Sequence, residues 1–195
     1  MKRKFFTFKP FIDVLFCCLL MLVAILFILK TEEEQKARPH NTLYEVVLTW
    51  DGESNDDLDI YVRSASGHTV SFNNREGGQG SLISLDHDAL GKSRNNNLPD
   101  ESGVVVNYNE EVVSFRGITE GENIVTVHVY FKRDIEPIKA TIKLIKVKPF
   151  KEVVAKEREF TITGEEKIAF RFKTDKDGNV IQVNELEASL LQPLQ

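Results

Sequence analysis

Hydrophobic and polar positions divide the chain into two parts with different periods. Residues 11–29 read FIDVLFCCLLMLVAILFIL, an apolar run of nineteen residues with one charge. As an α-helix rising ~1.5 Å per residue, such a run spans roughly the ~30 Å hydrocarbon core of a bilayer. The pattern therefore predicts a transmembrane helix over residues 11–29. A basic tail precedes it (residues 1–10), and a polar, charged linker follows it (residues 30–42).

From Tyr44 onward the chain consists of short runs rich in β-branched and aromatic residues, many of them alternating in polarity. Alternation places every second side chain on one face, as a half-buried β-strand requires. Turn-forming pairs such as Asp51-Gly52 separate the runs. The runs are Tyr44–Trp50, Leu58–Arg63, His68–Asn73, Ser81–Asp86, Val104–Tyr108, Glu111–Arg116, Ile124–Lys132, Ile138–Lys148, Glu157–Thr163, Lys167–Lys173 and Asn179–Asn184. They predict an all-β antiparallel β-sandwich over residues 43–184, followed by a C-terminal tail at residues 185–195.

Charge is distributed unevenly between these parts. The chain has 25 basic and 30 acidic side chains, of which five basic and one acidic lie within residues 1–30. The acidic surface of the larger part excludes nucleic acid as an expected partner, because phosphate binding needs a basic patch. The apolar run has a basic flank before it and the acidic stretch TEEE after it. The positive-inside rule therefore predicts a cytoplasmic N-terminus and an outer location for residues 31–195.

Two other interpretations of the apolar run are open. A cleaved signal peptide shares the basic start, but the run exceeds the usual hydrophobic region of ~7–15 residues. No Ala-x-Ala-like cleavage site follows it either. A helix buried in a soluble core does not explain an apolar surface all the way round. The only cysteines, Cys17 and Cys18, are adjacent within the run and suggest neither a metal site nor a disulfide framework.

Asp13 is the one charged residue of the apolar run. A charge inside a membrane helix costs about 2.5–3.5 kcal/mol even on insertion scales, so such residues are usually functional. In one interpretation Asp13 lies near enough to the cytoplasmic end to reach water, beside Lys9. In the other, its carboxyl group takes up and releases a proton at a boundary between subunits. We favour the second interpretation.

The stretch Pro10-Phe11-Ile12-Asp13-Val14, followed by an unbroken aliphatic run, resembles the start of the membrane helix of ExbD and TolR. MotB-type stator subunits have a similarly placed aspartate. The resemblance implies that Pro10, Phe11 and Ile12 begin the helix and that Asp13 carries protons. It also implies a dimer of these helices inside a ring, a pentamer of a polytopic ExbB/TolQ/MotA-like protein. The location it implies is the bacterial inner membrane, with the C-terminal domain in the periplasm.

Paired carboxylates mark a candidate cation site in the outer domain. Alternation places Asp57 and Asp59 on one face of a predicted strand and their hydrophobic neighbours on the other. Asp86 and Asp88 are likewise two residues apart. Hard oxygen ligands of this kind suit Ca²⁺, which takes about 6–8 of them. The alternative is a solvated acidic loop on an acidic domain.

Four stretches together resemble bacterial YfaP-like β-sandwich domains: WDGESNDDLDIYV, the Gly77-Gly78 turn, SLDHD and NEEVVSF. TerD-type calcium-binding domains have a related D-x-D arrangement. The calcium ligands that the resemblance implies are Asp57, Asp59, Asp86 and Asp88, with Asp51 and Glu110 as weaker candidates. His87 is expected to point away, because Ca²⁺ prefers oxygen.

The function predicted is that of a motor subunit that couples proton flow through the ring to work by its periplasmic domain on an unknown partner. The alternative is a membrane-anchored periplasmic module for Ca²⁺-dependent binding or adhesion, in which Asp13 has no proton role. An enzyme is not expected, because no nucleophile elbow, Ser/His/Asp order or HExxH motif is present. The outer domain also lacks an OmpA-like peptidoglycan-binding signature and does not resemble the small periplasmic fold of ExbD and TolR.

Overall fold

The computed structural model describes residues 14–23, 41–92 and 108–191. The chain divides into two compact units, Met1–His40 and Asn41–Gln195. The second unit holds the β-strands, whereas the description of the first is limited to one short helix.

That helix comprises residues 14–23, and its side chains are exposed throughout. Within the described ranges, no helix has both the length and the apolar character needed to cross a bilayer. The helix-start motif Pro10-Phe11-Ile12 and the proton-carrying candidate Asp13 lie outside the described residues. Their roles therefore stay predictions.

The described part of the second unit has ten strands in two five-stranded antiparallel sheets. The strands are β1 (Tyr44–Trp50), β2 (Asp57–Arg63), β3 (Thr69–Val70), β4 (Ile83–His87), β5 (Asn109–Phe115), β6 (Gly121–Phe131), β7 (Ile138–Lys146), β8 (Lys151–Phe160), β9 (Glu166–Thr174) and β10 (Val180–Asn184). Sheet A has the order β4-β5-β1-β7-β8, and sheet B has the order β10-β9-β6-β2-β3. The predicted antiparallel β-sandwich is thus confirmed.

Most strands begin or end one to three residues from their predicted runs, and β3 and β8 differ in length as well. The predicted run Val104–Tyr108 lies outside the described residues except for Tyr108, which is not in a strand. β3 has only Thr69 and Val70, because the residues that follow form tight turns. β8 begins at Lys151, six residues before the predicted start at Glu157. This strand lies at the edge of sheet A, and an irregularity in its pairing with β7 leaves the adjacent Val153 and Val154 both half-buried against the core, so its first half does not alternate.

The core lies between the two sheets and follows from the alternation. On β1, Tyr44, Val46, Leu48 and Trp50 are buried, while the residues between them are half-buried. Aromatic rings join the sheets, since the Phe115 ring on β5 lies 5.6 Å from the Phe172 ring on β9. β1 is also the central strand of sheet A, paired along its whole length with β5 and β7.

The sandwich has two lateral sides where the sheets meet, and on each a strand is only partly covered by its neighbour. On the β2–β5 side, β3 pairs with Val62 and Arg63 of β2 and leaves Asp57–Tyr61 without a described strand partner at that edge. On the β8–β9 side, β10 pairs with β9 from Arg171 to Thr174 and not with its first half, within the described residues. Backbone groups at these edges need other hydrogen-bond partners.

Candidate metal centre

Three carboxylates converge on the β2–β5 side of the sandwich. Asp59, Asp88 and Glu111 each offer one carboxylate oxygen, and these three atoms all lie within 4.8 Å of one another. Asp59 belongs to β2, Glu111 belongs to β5, and Asp88 follows β4. The site therefore joins β2 of sheet B to β5 of sheet A and to the segment after β4.

Glu111 reaches the site from the inner face of sheet A. In β5, Asn109, Glu111, Val113 and Phe115 occupy alternate, buried positions, and Glu111 is 0 % exposed. Its Oε2 accepts a hydrogen bond of 2.6 Å from the backbone N–H of Ile60 on β2. The Glu111 side chain thus takes the place of a strand partner at the uncovered edge of β2.

Asp59 is placed by the alternation of β2. Leu58 and Ile60 belong to the hydrophobic core, so Asp57 and Asp59 occupy the opposite face, as predicted. Asp59 is 3 % exposed and pairs in register with His128 of β6, whose Nδ1 lies 3.7 Å from its Oδ2.

Asp88 is positioned by an irregularity in β4 and by the segment after it. Leu85 pairs with Val113 and His87 with Val112, so one extra residue lies between them in β4. Beyond the strand, Gly91 has φ +83°, and a Cβ there would stand 2.6 Å from the carbonyl oxygen of Asn55. The segment that carries Asp88 is therefore packed directly on the loop before β2.

Asp86 is that extra residue, and the structure does not bring it to the cluster. Its Oδ1 accepts hydrogen bonds from Ser84 Oγ at 2.6 Å and from Arg116 Nη2 at 2.9 Å. Burial raises the pKa of Asp86, but hydrogen bonds from Ser114 and Ser84 and the charge of Arg116 outweigh it, and the pKa is lowered. The Asp86 carboxylate thus already has hydrogen-bond partners in Ser84 and Arg116, and the Arg116 charge lies beside it.

Asp57 flanks the cluster. It is buried, and its Oδ2 lies 3.4 Å from Arg133 Nη2. Its Oδ1 has no hydrogen-bond partner among the described residues. Burial, followed by the negative charge of Asp59, raises the pKa of Asp57 despite the opposing effect of Arg133.

The cluster itself is poorly compensated within the described part of the chain. There, Asp59 Oδ2, Asp88 Oδ1 and Glu111 Oε1 are buried without a hydrogen-bond partner. Burial raises the pKa of Asp59, although His128 opposes this. Burial and then the charge of Asp59 raise the pKa of Glu111 well above its usual range. Chemically, such a group either shares protons or holds a hard cation.

The weaker candidates lie elsewhere. Asp51 Oδ1 accepts a hydrogen bond of 2.9 Å from the backbone N–H of Glu53 in an exposed turn. Glu110 is half-buried on the other face of β5 from Glu111. The His87 ring lies near Tyr108, with centroids 6.2 Å apart, and is not among the converging groups.

Glu111 was not among the predicted ligands, although a signal for it exists. In the stretch NEEVVSF, Val113 and Phe115 share a face with Glu111 under strict alternation, which places Glu111 and not Glu110 toward the core. Comparison with protein-family models, with curated proteins and with solved structures found no match to this chain.

Proposed function

We propose that this protein is the small, membrane-anchored subunit of an ion-driven motor of the ExbD/TolR/MotB type. The observation that supports the proposal most strongly is the single acid Asp13 within the apolar run of residues 11–29, directly after Pro10-Phe11-Ile12. An acid inside a membrane helix is costly, so it is retained where it binds an ion or a proton.

In this proposal Asp13 takes up a proton on one side of the membrane and releases it on the other. One helix with one carboxyl group provides no continuous path for protons, so a polytopic partner is required. A dimer of this chain inside a pentameric ExbB/TolQ/MotA-like ring meets that requirement. Residues 30–42 then convey the motion to the β-sandwich, which acts in the periplasm as the output domain.

The first test is purification of the tagged full-length chain in detergent after expression with its neighbouring genes. We expect a stable complex with a multi-span membrane protein, near five copies of that protein to two of this chain by mass photometry. Recovery of the chain without any polytopic partner would contradict the motor proposal.

The second test is Asp13→Asn, which keeps the shape of the side chain and removes the titratable group. We expect the complex to assemble normally and proton flux in reconstituted vesicles to be lost. Asp51→Asn is the matched control, because Asp51 lies in an exposed turn of the outer domain. Unchanged flux in Asp13→Asn would exclude the proton role.

A second candidate function is a membrane-anchored module that binds its target with the help of a cation. The observation in its favour is the convergence of Asp59, Asp88 and Glu111 in the outer domain. It differs from the motor in one respect: Asp13→Asn leaves its activity intact, whereas substitution within the carboxylate cluster abolishes it.

A further inference from the structure

We propose that Asp59, Asp88 and Glu111 form a binding site for one Ca²⁺ ion, which fastens the two sheets together on the β2–β5 side. The ligand set includes Glu111 and excludes Asp86. This inference concerns the outer domain alone and stands whether or not Asp13 carries protons.

The first argument is that Glu111 is buried while one of its carboxylate oxygens lacks a hydrogen-bond partner. The side chain is 0 % exposed, and its Oε2 is held by the N–H of Ile60. Its other oxygen, Oε1, is buried without a hydrogen-bond partner in the described residues, and the carboxyl group converges with those of Asp59 and Asp88. A buried, ionised carboxylate is strongly unfavourable unless a positive charge or several donors compensate it. A cation between the three oxygens supplies that compensation.

The second argument is that nearby basic side chains are already engaged. Lys132 Nζ lies 2.7 Å from Asp56 Oδ2 and donates to the carbonyl oxygen of Asp134. Arg133 contacts Asp57 and donates to the carbonyl oxygen of Asn55 at 2.5 Å. These contacts of the two cations are thus with Asn55, Asp56, Asp57 and Asp134 and not with the three converging carboxylates.

Arg75 is the described arginine or lysine that contacts the cluster itself, and the imidazole of His128, with Nδ1 3.7 Å from Asp59 Oδ2, is the other basic group beside it. The Arg75 Nη1 lies 3.6 Å from Asp88 Oδ2, and the arginine side chain is half exposed to water. That contact leaves Asp88 Oδ1, the buried oxygen of the same carboxylate, without a hydrogen bond. A solvent-screened contact of this kind does not neutralise three carboxylates.

The chemistry of the ligands identifies the class of ion. The three converging atoms are all carboxylate oxygens, and hard cations are the ions that oxygen-only sites select. The ligands come from three separate segments of the chain, β2, β5 and the segment after β4. Ca²⁺ accepts irregular coordination and bidentate carboxylates, whereas Mg²⁺ demands a nearly ideal octahedron. Ca²⁺ is therefore the ion that fits.

The test uses the full-length chain in detergent micelles, treated with chelator and then titrated with CaCl₂ by isothermal titration calorimetry. We expect one Ca²⁺ per chain, with a dissociation constant no weaker than the ~10⁻³ M of extracellular calcium modules. Trp50, the only tryptophan, reports thermal unfolding of the outer domain by its fluorescence. At one hundred times the dissociation constant, Ca²⁺ should raise the melting temperature by about 5 °C or more.

Glu111→Gln and Asp59→Asn are the test variants, and Asp86→Asn is the matched control. We expect each test variant to weaken Ca²⁺ binding at least about tenfold, while Asp86→Asn binds like the wild type. Glu111→Gln keeps an acceptor for the Ile60 N–H, and it removes a buried charge. A melting temperature in chelator at or above that of the wild type shows that the variant is folded.

Three results would overturn the proposal. One is the absence of Ca²⁺ binding by the wild type at millimolar CaCl₂, which would leave shared protons as the compensation. Another is unchanged binding in both Glu111→Gln and Asp59→Asn. The last is equal loss of binding in Asp86→Asn, which would place the ion at the exposed acid.

Discussion

The two lateral sides of the sandwich pose the same structural problem, and the chain meets it in opposite ways. On the β8–β9 side, Arg158 donates hydrogen bonds to the carbonyl oxygens of Ile168 and Ala169 at 2.8 and 2.9 Å. The same guanidinium lies 2.5 Å from Glu185, which also pairs with Lys156. The uncovered carbonyl oxygens thus have a donor within the chain, and the charge of that donor has an acidic partner.

On the β2–β5 side, the uncovered group is an N–H, that of Ile60, and an acceptor must satisfy it. The acceptor that the chain supplies is Glu111, which introduces a negative charge beside Asp59 and Asp88. On the β8–β9 side, the uncovered carbonyl oxygens accept hydrogen bonds from the cation Arg158, which pairs with the surface acid Glu185. On the β2–β5 side, the uncovered N–H is satisfied by a carboxylate, which leaves an excess of negative charge. A metal ion is suited to neutralise that charge.

Among the variants that test this comparison of the two sides, Gly91→Ala is expected to have the largest effect on stability. A Cβ at Gly91 meets the backbone of Asn55 at 2.6 Å, and φ is +83°. We expect a loss of about 2–4 kcal/mol in the free energy of unfolding, together with weaker Ca²⁺ binding because Asp88 moves. Urea unfolding followed by Trp50 fluorescence measures the first effect, and calorimetry measures the second.

Gly67→Ala is the matched control for that variant. Gly67 has φ +88°, but its Cβ position has nothing within 4 Å. The loss should be about 1–2 kcal/mol, from backbone strain alone, with unchanged Ca²⁺ affinity. Equal losses in the two variants would show that the close approach of Gly91 to Asn55 does not position the site.

Arg158→Ala removes the side chain that donates hydrogen bonds to the uncovered edge on the β8–β9 side. It leaves two carbonyl oxygens without their donor and removes one of the two basic partners of Glu185, so we expect a loss of about 2–3 kcal/mol in the free energy of unfolding. Denaturant unfolding in the presence of Ca²⁺ measures it. Lys139→Ala, which removes an exposed lysine 4.0 Å from Glu159, should cost less than about 0.5 kcal/mol. A similar small loss in Arg158→Ala would mean that water satisfies the carbonyls.

A smaller effect on stability is expected from a change of pH, which acts through Glu185 on the β8–β9 side. Hydrogen bonds from Lys156 and Arg158 lower the pKa of Glu185 from its ordinary value of 4.5. A lowered pKa means that the folded state favours the ionised form, so the contribution is present above pH 4.5 and is lost as pH falls through the folded-state pKa. Glu185→Gln should therefore make the melting temperature less sensitive to pH below 4.5. An unchanged pH profile would contradict this role of Glu185.

The smallest effect is expected for the energetic coupling between the β2–β5 side and the β8–β9 side. Because Arg158 and Glu111 share no partner and lie on opposite sides, the effects of Arg158→Ala and Glu111→Gln on the free energy of unfolding should add within about 0.5 kcal/mol. A double-mutant cycle in chelator and in Ca²⁺ measures this. Coupling above that value would mean that the sides are not independent.

Alternation was sufficient to predict the antiparallel sandwich and the shared face of Asp57 and Asp59, because both depend only on the two-residue period of a strand. The same period does not bring Asp86 together with Asp88, because an extra residue in β4 interrupts it, and the role of Asp86 as a ligand stays a prediction. A bulge of this kind depends on pairing with β5 and has no local signature in the sequence.

Glu111 could have been found from Val113 and Phe115, but its contact with Ile60 could not. That contact depends on how far β3 extends along β2, which is a property of the assembled sheet. The role of Gly91 is similar, since the nearby Asn55 is distant in sequence. The proton role of Asp13 is a prediction from the sequence, and it depends on partners outside this chain.

The central position of β1 has a mechanical consequence. A force that enters the second unit at Asn41 acts along β1, and both neighbouring strands pair with this strand from Tyr44 to Trp50. The hydrogen bonds of antiparallel pairs run perpendicular to the strands, so such a pull loads both ladders in shear. Bonds loaded in shear rupture together, whereas those of a peeled edge strand open one at a time. A pull along β1 is therefore resisted by both ladders at once.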